Sequence, residues 1–196
     1  MTLISTNPAT SEEIKTYPEY SSSKIDQILS KSMNAQKKWS LLKLDFRLEC
    51  INQISGVLRD KKREYASVMA SEMGKPIVQA VGEVEKCAWL CDYYKEFAPE
   101  FLSDRLIKTE YYKSMVTLQP IGLILGIMPW NFPFWQVFRF AIPALIAGNG
   151  AILKHASNVQ GCAFAIESSF LEAGFPADIF RNISVSGKNV KDVIKN

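Results

Sequence analysis

Length, composition and charge exclude several classes of protein. The chain has 196 residues, of which 47% are hydrophobic, so it has enough apolar side chains for the core of one domain and part of a second, and a disordered chain is excluded. Its 23 Lys and Arg residues are scattered among 20 Asp and Glu residues, without the basic stripe that nucleic acids require. We therefore expect no nucleic-acid partner.

The cysteines and the first residues indicate a reducing compartment. Cys87 and Cys91 have a helical spacing, and Cys50 and Cys162 are distant in sequence, so we expect four buried thiols and no metal site. The opening stretch MTLISTNPATSEEI lacks the basic and apolar regions of a secretory signal, and the apolar run 121–129 is too short to span a bilayer. We expect a cytoplasmic protein with no membrane partner.

The first hundred residues predict a layer of helices. An amphipathic helix over 23–39 begins with a capping-box pattern of Ser and Asp. A second, longer helix is predicted from about residue 42 to Gly74, where a left-handed cap ends it, and a third helix over 76–97. These helices have apolar faces that need another layer to pack on.

The pattern changes after residue 102. Residues 103–119 lose the helical period and gain Ile, Thr, Tyr and Val, which predicts a hairpin. From residue 120 onward strands alternate with helices: LILGIM as a strand buried on both faces, a helix over 134–147, GAILK, a helix over 159–173 closed by Gly174, and IFRNISVS.

These elements predict an α/β fold with an amino-terminal helical layer followed by an incomplete doubly wound, Rossmann-like parallel sheet. We expect three parts: residues 1–102 as the helical part, residues 103–119 as the hairpin, and residues 120–196 as the first βαβαβ unit of a dinucleotide-binding domain. In such a sheet the ligand crevice lies at the carboxyl ends of the strands.

Two polar residues in the apolar stretch MPWNFPFWQVFRF are candidates for this crevice. Asn131 lies in the turn between the first strand and the next helix, where its amide N–H groups can point into the crevice, or where it can cap the helix. Arg139 lies on that helix, and its simplest interpretation is a solvated side chain.

The end of the second strand carries a second group of candidates. Lys154 occupies the place where many dinucleotide-binding proteins have an acid that binds ribose, and with Ser157 and His155 it suits a phosphorylated ribose better than a carboxylate would. The alternative is a surface lysine at a strand end. His155 follows Lys154 directly, and we expect it to be a packing residue or to support the residues that contact the ligand, rather than to act as a catalytic base. No G-x-G-x-x-G fingerprint follows the first strand.

At these residues the sequence resembles the aldehyde dehydrogenase superfamily. The string QPIGLILGIMPWNFPFWQVFRFAIPALIAGNGAILKHASN carries the strand, turn and helix signatures in order, and EAGFPADIFRNISVSG, TNPATSEEI and EMGKP are similar to further signatures of that family. The resemblance covers nearly the whole chain. Within the superfamily the sequence most resembles the bacterial succinate-semialdehyde dehydrogenases, through MPWNFPFWQV and LKHA.

The resemblance implies oxidation of a small aldehyde with NAD or NADP, through a cysteine thiolate. It implies that Asn131 donates an N–H to the oxyanion, that Lys154 holds the adenosine ribose, and that Ser157, which stands where NAD-preferring members have a glutamate, leaves NADP open. Met128, Pro129, Trp130, Asn131, Lys154, His155 and Ser157 are the implied cofactor-binding residues.

The resemblance also implies a substrate site. Arg139 matches an arginine that binds the distal carboxylate of succinate semialdehyde, inside an aromatic channel that includes Phe132 and Trp135. It further implies that residues 103–119 form an oligomerisation hairpin, and therefore a homo-oligomer.

Three parts that the family requires have no counterpart in the sequence up to Asn196: a glycine-rich turn under the pyrophosphate, a glutamate base and the cysteine nucleophile. None of the four cysteines has the setting of the nucleophile. We therefore expect that the chain is a truncated part of such an enzyme and does not oxidise aldehydes alone. A non-catalytic nucleotide-binding module and an interaction fragment are the alternatives.

Overall fold

The structure of the chain, a computed structural model, describes residues 2–194 and arranges them as helices packed beside a small parallel sheet. In chain order the elements are β1 (Thr2–Thr6), β2 (Glu13–Pro18), α1 (Ser22–Ser40), α2 (Leu44–Asp60), α3 (Lys62–Met73), α4 (Ile77–Phe101), β3 (Arg105–Leu106), β4 (Met115–Val116), β5 (Leu123–Ile127), α5 (Pro133–Ile146), β6 (Gly150–Lys154), α6 (Gln160–Glu172), β7 (Phe180–Asn182) and α7 (Val190–Ile194).

The predicted parallel sheet is confirmed. Its strands lie in the order β5-β6-β7, and both pairs are parallel. The central strand β6 is buried along its whole length. Its Ile152 packs in one hydrophobic cluster with Ile25 and Ile28 of α1, whereas Ala151 and Leu153 join the larger cluster that includes α5 and α6. Helices therefore cover both faces, as an α/β fold requires.

Strand β5 differs from its prediction, because it is not buried on both faces. Leu123 to Leu125 are only half-buried, and Ile127 is 50% exposed. Within residues 2–194, β5 pairs with β6 on one side and with no strand on the other. A continuous apolar run therefore predicted the strand correctly, but it did not distinguish a central strand from an edge strand.

The helical layer is confirmed with three corrections to its boundaries. The predicted second helix is broken at Lys61, whose ψ of 15° separates α2 from α3. The cap of α1 is Ser21, not the predicted capping box at Ser23, because the Lys24 amide donates to the Ser21 hydroxyl at 3.2 Å. Helix α4 continues to Phe101, beyond the predicted end. Gly74 ends α3 in the left-handed conformation, as predicted, with φ of 72°.

Two hairpins flank the helices. The predicted hairpin over 103–119 is confirmed as the antiparallel pair β3–β4, with two residues in each strand. The β1–β2 hairpin was not predicted; its Leu3 and Ser5 point inward, and the ring of Tyr17 stacks on Phe164 of α6. This hairpin ties the amino terminus to the sheet domain.

Candidate functional site

The loops that follow β5 and β6 lie side by side at the carboxyl edge of the sheet. The Met128 amide donates to the Lys154 carbonyl at 3.1 Å, so the turn after β5 begins where β6 ends. A second bond joins the loops, since Nε2 of His155 lies 2.9 Å from the Pro133 carbonyl. The two groups of residues singled out in the sequence therefore occupy adjacent loops.

The side chain of Asn131 is free to act on a ligand. Asn131 is exposed, and its amide makes no hydrogen bond within residues 2–194. The alternative that it caps α5 is wrong, because the N-cap residue is Phe132 and the first-turn amides of Phe134 and Trp135 donate to Oε1 of Glu83, each at 2.9 Å. A carboxylate at a helix N-terminus satisfies these amides and complements the helix dipole.

The second oxygen of Glu83 makes a buried ion pair with Lys75. The side chains of Lys75 and Glu83 are 7% and 2% exposed. Nζ of Lys75 also donates to the Asn131 carbonyl at 3.2 Å and lies 3.7 Å from the centre of the Phe132 ring. The turn that presents Asn131 is thus held from the side of the helical layer.

Helix α6 begins in the same way. The carboxylate of Glu72, at the end of α3, accepts the amides of Gly161 at 2.7 Å and Cys162 at 2.8 Å, and it also accepts the Ser5 hydroxyl. A Cβ at residue 161 would lie 2.8 Å from a carboxylate oxygen, so only glycine allows this approach. Because Glu83 and Glu72 each accept two first-turn amides, these four amides are not available to a diphosphate.

Lys154 is a buried cation. The residue is 6% exposed, so the alternative of a surface lysine is wrong. Burial lowers the pKa of its ammonium group, and within residues 2–194 it has no hydrogen bond or ion pair. Its ammonium nitrogen is not enclosed by protein atoms, so its donors remain open to water or to the oxygens of a ligand. Ser157, three residues on, is half-buried in the same loop.

His155 is fully buried, and both ring nitrogens contact the backbone. The Ala156 amide donates to Nδ1 at 2.8 Å, so the proton is on Nε2, which donates to the Pro133 carbonyl. Burial lowers its pKa to about 4. The ring is therefore neutral at neutral pH and joins the two loops; it is closed to direct contact with a ligand.

The candidate substrate residues lie on one face of α5. Phe132 is 45% exposed, Trp135 is half-buried, and Arg139 is exposed. Arg139 donates to Oε1 of Gln136 at 3.0 Å and has no carboxylate partner within residues 2–194. Met128 is half-buried, and Pro129 and Trp130 are exposed at the start of the same turn.

The cysteines have the character predicted for them. All four are free and buried, and burial raises the pKa of each thiol. A raised pKa disfavours the thiolate that a nucleophile needs. Among residues 2–194 no group of His, Cys, Asp and Glu side chains is arranged to hold a metal ion, and no helix there is long and apolar enough to cross a membrane.

Three residues of this region were missed by the sequence analysis: Glu72, Lys75 and Glu83. Two of them belong to EMGKP, which was interpreted as a helix end and as a family signature, without a role for either side chain. Their signal in the sequence is weak, since an acid on a helix is usually solvated. Only the packing of α3 and α4 against α5 and α6 makes them buried partners of the loops.

The fold and this site define a protein of the Rossmann-like α/β class, with a helical layer that anchors the loops of the crevice. The Aldehyde dehydrogenase family model matches residues 1–196, so the chain belongs to that family. It is 40% identical over 194 residues to a probable succinate-semialdehyde dehydrogenase [NADP(+)] from Synechocystis, covering 99% of this chain and 43% of the relative.

Other relatives agree with this assignment. Succinate semialdehyde dehydrogenase [NAD(P)+] Sad of Escherichia coli is 40% identical over 98% of this chain and 42% of its own. Among solved structures, succinic semialdehyde dehydrogenase from Streptococcus pyogenes in complex with NADP+ is similar with a TM-score of 0.95 at 33% identity, over 99% of this chain and 43% of that one. The chain therefore spans less than half the length of these relatives.

Proposed function

We propose that this chain supplies the amino-terminal, cofactor-binding part of an NAD(P)-dependent succinate-semialdehyde dehydrogenase. The observation that carries the proposal is Lys154, whose side chain is mostly buried but whose ammonium nitrogen is open to solvent and has no partner in residues 2–194, in the loop next to the exposed Asn131. The names of the relatives from Synechocystis and Escherichia coli support the reaction.

In this proposal Lys154 and Ser157 hold the adenosine ribose of the cofactor, and residues 128–130 line its path toward the nicotinamide end. The bound cofactor accepts the hydride from the substrate. Ser157 carries no charge, so it does not repel the 2′-phosphate of NADP as a carboxylate would. The diphosphate lies away from the N-termini of α5 and α6, because their amides are taken.

The cofactor assignment is tested by titrating the chain with NADP and NAD in a calorimeter. Lys154→Ala should weaken NADP binding by tenfold or more, since a charge-assisted bond is lost, while Lys31→Ala, an exposed lysine of α1, should leave it unchanged. Ser157→Glu should weaken NADP more than NAD. Equal affinity of the Lys154 and Lys31 variants would contradict the assignment.

For catalysis, we propose that the Asn131 amide donates an N–H to the oxyanion that forms when a thiolate attacks the aldehyde. Removal of such a donor raises the barrier by about 3–4 kcal/mol. The nucleophile and the general base come from outside residues 1–196. The parts proposed from the sequence, 1–102, 103–119 and 120–196, supply the cofactor-binding residues and the oxyanion donor but neither of these two groups.

This proposal is tested by comparing the chain alone with residues 1–196 joined to the carboxyl-terminal portion of the Synechocystis relative. Aldehyde-dependent reduction of NADP is expected only for the joined protein. Asn131→Ala should then lower kcat by a factor of 100 or more, with a smaller effect on KM. Turnover by the short chain alone would contradict the assignment of its role.

Arg139 is proposed to bind the distal carboxylate of succinate semialdehyde, beside Phe132 and Trp135. A guanidinium group is suited to a carboxylate because it donates two parallel hydrogen bonds. In the joined protein, Arg139→Leu should reduce kcat/KM for succinate semialdehyde far more than for an uncharged aldehyde of similar length. An equal loss for both would instead favour a dehydrogenase of another small aldehyde.

A second candidate function is association with another polypeptide through the edge of β5. This edge has no partner strand within residues 2–194, and Met33, Ile121 and Ile127 beside it are 49%, 86% and 50% exposed. Unpaired apolar edges favour addition of a strand. Co-expression with the carboxyl-terminal portion of the Synechocystis relative, as a separate chain, should give a complex that co-purifies; two separate monomers would contradict it.

The β3–β4 hairpin is proposed as a contact between copies of this chain. Its Leu106, Tyr111 and Tyr112 are 69%, 73% and 106% exposed. A Tyr112→Asp substitution should shift the protein toward monomer in sedimentation analysis, whereas an unchanged molecular mass would show that the hairpin is not the contact.

A further inference from the structure

One buried ion pair contacts the turn that carries Asn131 at its carbonyl, at the next ring and at two amides of α5. Lys75 donates to the Asn131 carbonyl at 3.2 Å, its ammonium group lies 3.7 Å from the Phe132 ring centre, and its partner Glu83 accepts the amides of Phe134 and Trp135. Every one of these contacts is to the backbone or to the neighbours of Asn131. The Asn131 side chain itself remains free.

The two charges divide the work between the two sides of the turn. Glu83 fixes the chain after Asn131, because one of its oxygens receives two amides from the first turn of α5. Lys75 fixes Asn131 itself through its carbonyl, and the ion pair joins the two contacts into one unit. With the carbonyl and the following amides fixed, the direction of the Asn131 side chain is limited to its own rotamers.

Stability alone does not account for this pair. Two charges that are 7% and 2% exposed lose most of their hydration, and well-packed apolar residues at such positions stabilise a fold at least as well. Lys75 and Glu83 are also only eight residues apart, so they could pair without touching the turn. Instead, both direct polar atoms at it.

We propose that Lys75 and Glu83 are positioning residues that hold the Asn131 amide in the orientation required of an oxyanion donor. This inference rests on the proposed function of Asn131. It adds two residues of the helical layer, in EMGKP and in α4, to the set that determines the rate of the reaction. Neither touches the substrate or the cofactor; both act through the backbone of residues 131–135.

The test uses the 15N-labelled chain by nuclear magnetic resonance, without cofactor or substrate. In the unmodified chain, the amides of Asn131, Phe132, Phe134 and Trp135 should have order parameters of about 0.85, equal to those of the helices. In Lys75→Met, hydrogen exchange of the Phe134 and Trp135 amides should be about tenfold faster relative to amides in the core of α2, and the side-chain amide signals of Asn131 should shift or broaden.

Lys86→Met is the matched control. Lys86 lies on α4, is exposed, and has its ammonium group 3.9 Å from the Trp135 ring centre. Unlike Lys75, it makes no hydrogen bond to the backbone of residues 131–135. This variant should retain the exchange rates and the Asn131 signals of the unmodified chain. A uniform increase in exchange across α2, α4 and the turn in Lys75→Met would show a general loss of stability and would overturn the proposal.

The unmodified chain decides the question even when Lys75→Met does not fold. Order parameters below about 0.6 at Asn131, Phe132, Phe134 and Trp135 would mean that the pair does not hold the turn, and the proposal would be wrong. None of these measurements involves NADP or Lys154. Failure of the proposed role of Asn131 would appear as an unchanged kcat of Asn131→Ala in the joined protein together with a rigid turn, and failure of this inference as a mobile turn while Asn131→Ala still lowers kcat.

Discussion

The buried ring of His155 should make the stability of the protein depend on pH in a way that can be assigned to one residue. It is the only histidine in the chain. Burial lowers its pKa from 6.5 to about 4, and its neutral form is the one that accepts the Ala156 amide and donates to Pro133. Protonation of Nδ1 would break the bond from Ala156 and place a charge in the core.

The sign and size of the effect follow from the two pKa values. Between pH 6.5 and 4 the unfolded chain binds a proton at His155 that the folded chain does not, so the free energy of unfolding falls as the pH falls through this window. The difference between 6.5 and about 4 corresponds to about 3 kcal/mol, of which about 2.5 kcal/mol is lost by pH 4.5. The contribution becomes constant about one pH unit above 6.5, where the unfolded chain no longer binds the proton.

The assay is urea unfolding at pH 7.5 and pH 4.5 of the unmodified chain and of His155→Gln, which does not titrate. The variant should be less stable at pH 7.5, because it loses hydrogen bonds, but the difference between the two proteins should decrease by about 2.5 kcal/mol at pH 4.5. Other groups cancel in this comparison, including Glu167, whose pKa is raised by burial.

Two results would refute this reasoning. One is a ring signal of His155 that titrates near pH 6.5 in the folded chain, since the ring would then be hydrated. The other is an equal loss of stability in both proteins between pH 7.5 and pH 4.5, which would assign the dependence to carboxylates instead.

Three further predictions concern stability. Lys154→Met should weaken NADP binding by tenfold or more without lowering the free energy of unfolding, because the ammonium group has no protein partner in residues 2–194 and the methionine keeps the apolar stem; thermal unfolding and calorimetry measure both, and Lys31→Met should change neither. Glu72→Gln should lower the free energy of unfolding by about 2 kcal/mol, because the negative charge that accepts two helix amides is lost. The control Glu85→Gln, at an exposed glutamate, should change it by less than about 0.5 kcal/mol in urea unfolding. Gly126→Ala should lower the free energy of unfolding by about 1–2 kcal/mol, because the added carbon would lie 2.4 Å from the Phe140 ring. An unchanged urea midpoint would show that the ring can move aside without cost.

The local features of the fold could be predicted from the sequence because they depend on short-range patterns. The strand β6 begins and ends at the predicted residues, since GAILK is an apolar run that starts with Gly, ends with Lys and is flanked by Asn149 and His155. Gly74 and Gly174 both end helices with positive φ, of 72° and 81°. Turn and cap chemistry is encoded in a few adjacent residues.

The burial of polar residues could not be predicted in the same way. A lysine at a strand end and a glutamate on a helix are usually solvated. In this structure, however, elements that are distant in sequence bury both Lys154 and Glu83. The break at Lys61 was missed for a related reason. Apolar residues keep a helical spacing through it, and the change of direction depends on how α2 and α3 pack on α4.

The sequence pattern divides the chain into a helical part and a sheet part, but in the structure several hydrogen bonds join these two parts. The carboxylates of Glu72 in α3 and Glu83 in α4 accept amides from the first turns of α6 and α5, respectively. Trp39 of α1 donates to the Leu145 carbonyl at 2.8 Å. These bonds are buried or partly buried, so separation of the layers would leave charged or polar groups without partners. A fragment that begins near residue 103 would therefore lose not only an apolar cover but also the carboxylates that cap its two crossover helices. The helical layer is in this sense part of the site: the orientation of Asn131 depends on a lysine and a glutamate that lie outside the Rossmann-like unit altogether.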